Sequence, residues 1–142
     1  MSEHDLDVAI LGAGTAGMTA YRQARKYTGR VALIDGGTLG TTCARVGCMP
    51  SKLLIAAANA RHAAQQAGPF GLEVGDVGVD GRAVMKRVRE ERDRFVGFVR
   101  DALEGFDQSN IIRQNARFAD NNTLVLEDGS KLTTRATVIA TG

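Results

Sequence analysis

The two cysteines of the chain, Cys43 and Cys48, are the side chains with the clearest capacity for chemistry. They lie in the segment Thr42–Lys52, which reads Thr-Cys-Ala-Arg-Val-Gly-Cys-Met-Pro-Ser-Lys. In a regular helix, residues five apart have Cα atoms roughly 8 to 9 Å apart, whereas a disulfide needs about 7 Å or less. A bridge would therefore need an irregular turn, which Gly47 and Pro50 favour. A bridge held in distorted geometry is readily reduced, which indicates a catalytic role rather than a structural one.

The spacing alone leaves three interpretations of the pair open. The cysteines could form a redox disulfide, provide half of a zinc site shared between subunits, or be inert thiols in the core. Soft thiolates suit zinc, but the sequence offers no other pair of ligands at metal-binding spacing. We expect His62 to be a surface or packing residue and His4 to lie in a disordered end.

Length and composition describe one globular domain of 142 residues with 44% hydrophobic residues. The net charge of +2 arises from interspersed acidic and basic residues, so no basic stripe indicates nucleic-acid binding. No run of about 18 apolar residues could span a membrane, and the acidic N-terminus lacks a signal-peptide pattern. We therefore expect a cytoplasmic protein, where a cysteine pair is more often catalytic or metal-binding than a structural staple.

The first 35 residues have the pattern of a βαβ unit. An apolar run, Asp7–Leu11, leads into a glycine-rich turn, a helical stretch over Met18–Tyr27 and a second apolar run, Val31–Ile34. Both runs are apolar at successive positions, which is typical of parallel strands covered by helices on both faces.

The turn itself is a G-x-G-x-x-G motif with an acidic residue, Asp35, 23 positions after its first glycine. Gly12 permits the tight turn, Gly14 lets the backbone approach a pyrophosphate, and Gly17 allows the helix to pack closely on the strand. The pyrophosphate would lie at the helix N-terminus, and Asp35 would accept hydrogen bonds from a ribose. The motif predicts a bound dinucleotide without distinguishing FAD from NAD.

The middle of the chain is predicted to be helical. A helix over Ser51–Ala67 carries the cysteine segment at its N-terminal end, which favours a thiolate on Cys48, with Lys52 adding positive charge. A long helix over Arg82–Phe106 has one apolar face, and its charged face is a solvated surface. That face is supported by the predicted i,i+4 ion pairs Lys86–Glu90, Arg87–Glu91 and Glu90–Arg94.

The last third of the chain is predicted to be rich in β-structure. Strands are expected from Ile111 and over Ala116–Phe118 and Thr123–Glu127, followed by a hairpin turn at Asp128-Gly129. Short strands over Lys131–Thr133 and Ala136–Ala140 complete the region, and the last of these is expected to be a buried parallel strand.

These motifs together resemble the flavoprotein disulfide reductases, a family that includes dihydrolipoamide dehydrogenases, glutathione reductases and mercuric reductases. The resemblance covers the whole chain and is carried by the glycine motif, by Asp35, by the Cys43–Lys52 segment and by the closing residues Ala140–Gly142. It implies an α/β fold, namely a Rossmann-like FAD-binding domain with a parallel sheet flanked by helices and an antiparallel β-meander. It also implies that residues 1–142 are the N-terminal part of that domain, with the NAD(P)-binding and dimer-interface domains absent.

The resemblance also implies roles for individual residues. Cys43 would exchange disulfides with the substrate, Cys48 would face the flavin, and Lys52 would lie near the reactive edge of the flavin. The residues expected to contact FAD are Gly12, Gly14, Thr15, Ala16, Gly17, Asp35, Gly36, Thr42, Cys43, Gly47, Cys48, Lys52, Ala116, Ala140, Thr141 and Gly142. No metal is expected.

The reaction implied is oxidation of a dithiol by the cysteine pair and FAD, with NAD bound by the missing part of the chain. Ser51 before Lys52 resembles dihydrolipoamide dehydrogenases and mercuric reductases, and we expect the former. The alternatives are an NADPH-dependent mercuric or glutathione reductase-like enzyme and a non-catalytic nucleotide-binding module with a cysteine metal site. The substrate would be a small-molecule or lipoyl-domain dithiol. The full protein would be a homodimer with a 2-oxo acid dehydrogenase complex as a candidate partner, and the fragment alone would be inactive.

Four positions depart from the usual pattern of the family. Asp35 stands where Glu is usual, which shortens the reach to a ribose by one methylene. Thr41 and Arg45 replace a more usual Gly and Asn beside the cysteines, and Gln114 stands where Gly is common. These departures bear on the subfamily more than on cofactor binding.

Overall fold

The structure is a computed structural model that describes residues 4–142. The chain divides into two compact units. The first comprises the residues up to Thr41 together with Val99–Gly142, and the second is Thr42–Phe98. The glycine motif falls in the first unit and the cysteine segment in the second.

The first unit is built on a six-stranded sheet with the order β3-β2-β1-β6-β5-β4. Strands β3, β2, β1 and β6 are parallel, whereas β6, β5 and β4 form an antiparallel meander. The strands are β1 Leu6–Leu11, β2 Val31–Ile34, β3 Ile111–Ile112, β4 Ala116–Phe118, β5 Thr123–Leu126 and β6 Lys131–Ile139. The predicted α/β fold class with a β-meander is therefore confirmed.

The parallel strands are apolar on both faces, and the helices of the first unit cover one of them. On that face Ile10 and Leu33 pack with Met18 and Tyr21 of the first helix and with Leu103. The opposite face packs against the meander through a cluster made up of Ala9, Leu11, Ala32, Ile34, Leu124 and Leu126. Within the first unit, the expectation of helices over both faces is therefore wrong, because the meander covers the second apolar face.

Strand β6 joins the parallel sheet to the meander. The two short strands predicted there are one strand, Lys131–Ile139, which pairs with β5 through its first half and with β1 through its second. Its end was expected to be buried, yet Ile139 is 68% exposed and Val138 37%. Local apolar sequence indicated a buried strand there, but no described residue covers its last side chains.

Helix α1 spans Thr15–Ala24, so it begins and ends three residues earlier than predicted. Its N-cap residue is Gly14, and the N–H of Met18 donates to the Gly14 carbonyl at 2.9 Å. The helix therefore starts inside the glycine motif, which brings its first free N–H groups directly to the turn.

The second unit is helical. Helix α2 spans Thr42–Arg45, α3 spans Cys48–Gln65, and α4 spans Gly81–Glu104, its last turns belonging to the first unit. Helix α3 begins three residues before the predicted start. Pro50 is tolerated in its first turn, because a backbone N–H at that position would have no acceptor within the helix. Helix α4 is capped by Asp80, whose Oδ1 accepts from the N–H groups of Arg82 and Ala83.

The apolar face predicted for α4 contains the buried side chains of Val88 and Leu103. On the charged face Lys86 and Glu90 form the predicted i,i+4 pair at 3.8 Å. Arg94 pairs with Glu91 at 2.7 Å instead of with Glu90. Across residues 4–142, every helix is too short or too polar to cross a membrane.

Candidate functional site

A cleft of about 260 Å³ opens at the carboxyl ends of the parallel strands. Strand register brings these ends level, because Leu11 of β1 is paired both with Ile34 of β2 and with Ile139 of β6. Such crevices are where open α/β sheets bind ligands. The lining residues are Leu11, Gly12, Ile34, Asp35, Gly36, Gly37, Gln114, Asn115, Ala116 and Thr141.

Two glycines of the motif are required by close backbone approach. Gly12 has φ +103°, and a Cβ there would lie 2.4 Å from the carbonyl oxygen of Ala140. A Cβ on Gly17 would lie 1.8 Å from the carbonyl oxygen of Gly12 and would also contact Ile10. The Gly17 contact brings the start of α1 against the end of β1, as the motif predicts, and the Gly12 contact brings the turn against the chain after β6.

The third glycine, Gly14, faces open space, and a Cβ there would have no atom within 4 Å. Thr15 and Ala16, in the first turn of α1, are exposed. Among the described residues no side chain caps this helix end, and its first turn contains no acid. Its N–H groups are therefore available to an anion such as a pyrophosphate.

Asp35 follows β2, and its carboxylate is engaged by backbone groups. Oδ2 accepts from the N–H of Ala13 at 2.7 Å, and Oδ1 accepts from the N–H of Gly37 at 2.8 Å. The side chain thus ties the glycine turn to the loop after β2. Each oxygen keeps a further lone pair, so contact with a ribose is compatible with these bonds.

The far wall of the cleft contains side chains that the motif analysis did not assign to the site. Asn115 packs on Gly36, where a Cβ would lie 2.5 Å from the backbone nitrogen of Asn115. Gln114, noted only as a departure from the family pattern, also lines the cleft. Their position just after the parallel strand β3 is the signal that could have identified them.

The remaining residues predicted in this unit are divided between the cleft and its margin. Ala116 and Thr141 line the cleft. Ala140 donates its N–H to the Leu11 carbonyl at 2.8 Å, which fixes the chain beside the glycine turn. Gly142 is exposed with φ +88° and is outside the lining set.

The cysteine segment forms a helix, a turn and a second helix. Cys43 lies in α2, and Cys48 is the first residue of α3. Between them Gly47 has φ −118° and ψ −113°, which interrupts the helix and supplies the irregular turn predicted from the spacing. A Cβ at Gly47 would lie 3.2 Å from the Thr42 carbonyl oxygen, so the turn is tightly folded back on α2.

The two thiols contact one another in the reduced state. Both cysteines are free; Cys43 is half-buried and Cys48 is exposed, so neither is an inert core thiol. The pKa of Cys43 is raised, first by a side-chain hydrogen bond with Cys48, then by desolvation and by the Cys48 charge. The N–H groups of Cys48 and Met49 face the Cys43 sulfur and oppose this shift. The pair is therefore already juxtaposed for disulfide exchange.

Lys52 and Thr42 complete the predicted residues of this unit. Both are exposed, and Lys52 makes no ion pair within the described chain. Within residues 4–142, no three His, Cys, Asp or Glu side chains are grouped so that they could hold a metal ion.

The structure therefore groups the predicted residues into two sets. Gly12, Asp35, Gly36, Ala116 and Thr141 line one cleft. Cys43, Gly47 and Cys48 form one turn in the helical unit. The first set has the shape and backbone donors to bind a nucleotide, and the two thiols of the second set can take part in thiol–disulfide exchange.

Comparison with known proteins gives a consistent result. The family model described as "Pyridine nucleotide-disulphide oxidoreductase" matches residues 6–142. A mercuric reductase of Streptomyces lividans is 38% identical over 96% of this chain and 30% of its own length. A mercuric reductase of Staphylococcus aureus is 34% identical over 97% of this chain and 25% of its own length. A dihydrolipoyl dehydrogenase of Staphylococcus aureus is 30% identical over 97% of this chain and 30% of its own length. The chain thus spans less than a third of each of these relatives.

Proposed function

Because the chain belongs to the pyridine nucleotide-disulphide oxidoreductase family, we propose that it is the FAD-binding, disulfide-carrying part of a flavoprotein disulfide oxidoreductase. The observation that carries this proposal is the contact between the Cys43 and Cys48 thiols at an irregular helix start. The same chain contains a cleft suited to a dinucleotide.

The cleft residues fit FAD on structural grounds. The open Gly14 and the uncapped start of α1 would take the pyrophosphate, which requires backbone donors without a nearby acid. The cleft between Asp35 and Ala116 would take the adenosine, with the Asp35 carboxylate accepting from a ribose hydroxyl. The roles of these residues toward FAD are part of the proposal.

The cysteines would carry out the exchange with a dithiol substrate. One substrate thiolate attacks the Cys43 sulfur of the oxidised pair, the Cys43–Cys48 bond breaks, and Cys48 leaves as a thiolate. The second thiolate of the substrate then attacks the substrate sulfur that is bonded to Cys43, and Cys43 is released as the leaving group. The substrate is oxidised to a disulfide, and the pair is reduced to a Cys43 thiol and a Cys48 thiolate. One substrate proton passes to Cys43 and the other to solvent.

The raised pKa of Cys43 fits this division of roles. The thiol with the raised pKa holds its proton more firmly, so we assign the proton of the reduced pair to Cys43. When bound, FAD would supply an acceptor for the electron pair of the reduced cysteines and a hydride donor to NAD. Lys52, one turn into α3, is proposed to favour the anionic states.

We propose a dihydrolipoamide-type dithiol, free or on a lipoyl domain, as the substrate. A homodimer able to join a 2-oxo acid dehydrogenase complex is the corresponding assembly. Reduction of Hg²⁺ is the second candidate, favoured by the relatives named as mercuric reductases. We propose NADPH as the reductant in that case. Both candidates use the same cysteine pair.

Parallel assays of the protein expressed from its natural gene separate the two candidates. NAD⁺ reduction by dihydrolipoamide, abolished in Cys43→Ser, would support the first candidate. NADPH oxidation that depends on Hg²⁺, without dihydrolipoamide activity, would replace it with the second. The absence of bound flavin from the purified protein would refute the proposed function itself.

A further inference from the structure

Two pairs of side chains fasten the linker between β3 and β4 to the turn between β5 and β6. Gln114 Nε2 donates to Asp128 Oδ2 at 2.9 Å, and the Asp128 N–H donates to Gln114 Oε1 at 3.1 Å. Next along the linker, Asn115 Nδ2 donates to Glu127 Oε1 at 2.5 Å. We call these four residues the clasp. The glycine that is common at position 114 in the family could make neither of the first two bonds.

The clasp borders the candidate nucleotide cleft without filling it. Gln114 and Asn115 line the cleft, whereas Glu127 and Asp128 are outside the lining set and are hydrogen-bonded to these two residues. Asn115 also packs on Gly36 of the opposite loop so tightly that a Cβ there would lie 2.5 Å away. The position of the β3–β4 linker therefore sets the width of the cleft between this linker and the loop after β2.

The Asp128 side of the clasp is itself rigidly held. Asp128 Oδ1 accepts from the N–H of Ser130 at 2.9 Å and from its hydroxyl at 2.6 Å. These bonds and the bond from Gln114 lower the pKa of Asp128 to about 2, so its carboxylate is ionised at neutral pH. Gly129, with φ +84°, completes the tight turn. The linker is thus attached to a well-ordered hairpin.

From this arrangement we propose that Gln114 and Asp128 are positioning residues for nucleotide binding. They hold the linker where the adenosine end of the dinucleotide enters, so the cleft is formed before the ligand arrives. The inference rests on the proposed function, because it takes FAD as the occupant of the cleft. Ordering a loop on binding reduces affinity, and a wall that is ordered beforehand removes that cost.

The test measures FAD and ADP affinity of flavin-free protein prepared from the product of the natural gene. Gln114→Ala should weaken both ligands by about tenfold, the size expected when about two hydrogen bonds that order the site are lost. Gln114→Glu should weaken them at least as much, because its carboxylate would face that of Asp128. The matched control is Asn121→Ala in the turn between β4 and β5, an exposed residue outside the cleft.

The double variant Gln114→Glu with Asp128→Asn is the decisive rescue. It restores a donor opposite an acceptor, because the amide introduced at position 128 can donate to the carboxylate introduced at position 114. Both affinities should therefore return to within about threefold of wild type. Melting temperatures of the flavin-free proteins check that each variant is folded. If the double variant recovers the wild-type melting temperature but not the affinity, the clasp stabilises the fold without positioning the cleft, and the proposal is overturned.

Two failures are distinguishable. Wild-type protein that binds FAD, together with Gln114→Ala of equal affinity, overturns the clasp and leaves the proposed function intact. Wild-type protein without measurable affinity for FAD or ADP overturns the proposed function, and the clasp proposal falls with it.

Discussion

The edge of the sheet that carries the glycine turn and the segment that carries the cysteines are organised in opposite ways. Around the cleft, Gly12, Gly17 and Gly36 are in contacts so close that no Cβ fits. The Asp35 carboxylate is bound to two backbone N–H groups. Helix α3, in contrast, buries none of its residues within the described chain. Cys48, the first residue of α3, is exposed, and Cys43 of α2 is half-buried.

This difference indicates that the residues that shape the cleft are not those that carry out the thiol chemistry. The cleft requires fixed backbone positions, so its residues should affect folding and nucleotide affinity. The cysteine turn requires accessible thiols, so its residues should affect chemistry with little effect on folding. The following predictions test that separation, from the largest expected effect to the smallest.

Replacement of either cysteine should have the largest effect on activity. Cys43→Ser and Cys48→Ser should each lower dithiol oxidation by at least about a thousandfold, because each removes one sulfur of the exchanging pair. Both variants should keep the wild-type melting temperature and bound flavin. Loss of folding in either variant would show that the cysteine turn is as structural as the cleft.

Gly17→Ala should have the largest effect on folding. Its Cβ would lie 1.8 Å from the Gly12 carbonyl oxygen, so we expect a loss of about 3 kcal/mol or more in the free energy of unfolding. Gly14→Ala is the matched control, because a Cβ there meets no atom within 4 Å. That variant should unfold normally in denaturant yet bind FAD more weakly, since the methyl group would enter the space proposed for the pyrophosphate. Equal stability losses in the two variants would contradict the close-packing argument.

A smaller effect is expected on the pKa of Cys43, and it should be confined to the thiol pair. The contact with Cys48 raises the pKa of Cys43, so Cys48→Ala should lower it and move the pH profile of Cys43 alkylation to lower pH. Mass spectrometry after timed iodoacetamide treatment measures that profile. An unchanged or higher apparent pKa would mean that the thiols do not contact each other in solution.

Asp128 should make the hairpin beside the cleft sensitive to acid. Hydrogen bonds from Ser130 and Gln114 lower the pKa of Asp128 to about 2 in the folded protein, below the value of about 3.9 in an unfolded chain. A lowered folded pKa stabilises the fold above the unfolded value, and the contribution is lost as the pH falls toward 2. Asp128→Asn should therefore melt below wild type at pH 5 to 7, and the difference should shrink from about pH 4 downward. A difference independent of pH would rule out the carboxylate as its cause.

The smallest effect is expected on the surface of α4. Lys86 and Glu90 are 74% and 63% exposed in their 3.8 Å pair, so Lys86→Ala should change the free energy of unfolding by about 0.5 kcal/mol or less. Urea denaturation measures this change. A larger loss would mean that this face of the helix is not a solvated surface.

Sequence reasoning identified the features that depend on local residue type. Gly12, Gly17 and Asp35 have spacings typical of a strand, turn, helix and second strand, and the structure places them after β1, in α1 and after β2. The break at Gly47 likewise follows from two cysteines that a regular helix would hold apart.

What the sequence did not reveal depends on contacts between distant segments. Gln114 and Asp128 are 14 residues apart and meet only because β4 and β5 pair and the hairpin returns. The apolar residues of β1 and β2 signalled two covered faces, but nothing local showed that a meander covers one of them. The continuity of β6 was missed for the same reason, because one strand serves two neighbours in turn.

The central claim is that Cys43 and Cys48 form a redox pair served by FAD bound to the same protein. Anaerobic reductive titration of the flavin-containing protein tests it most directly by counting electrons. Wild type should take up about four electrons per FAD, two for the flavin and two for the disulfide, whereas Cys48→Ser should take up about two. Wild-type protein that binds FAD but accepts only about two electrons would contradict the account.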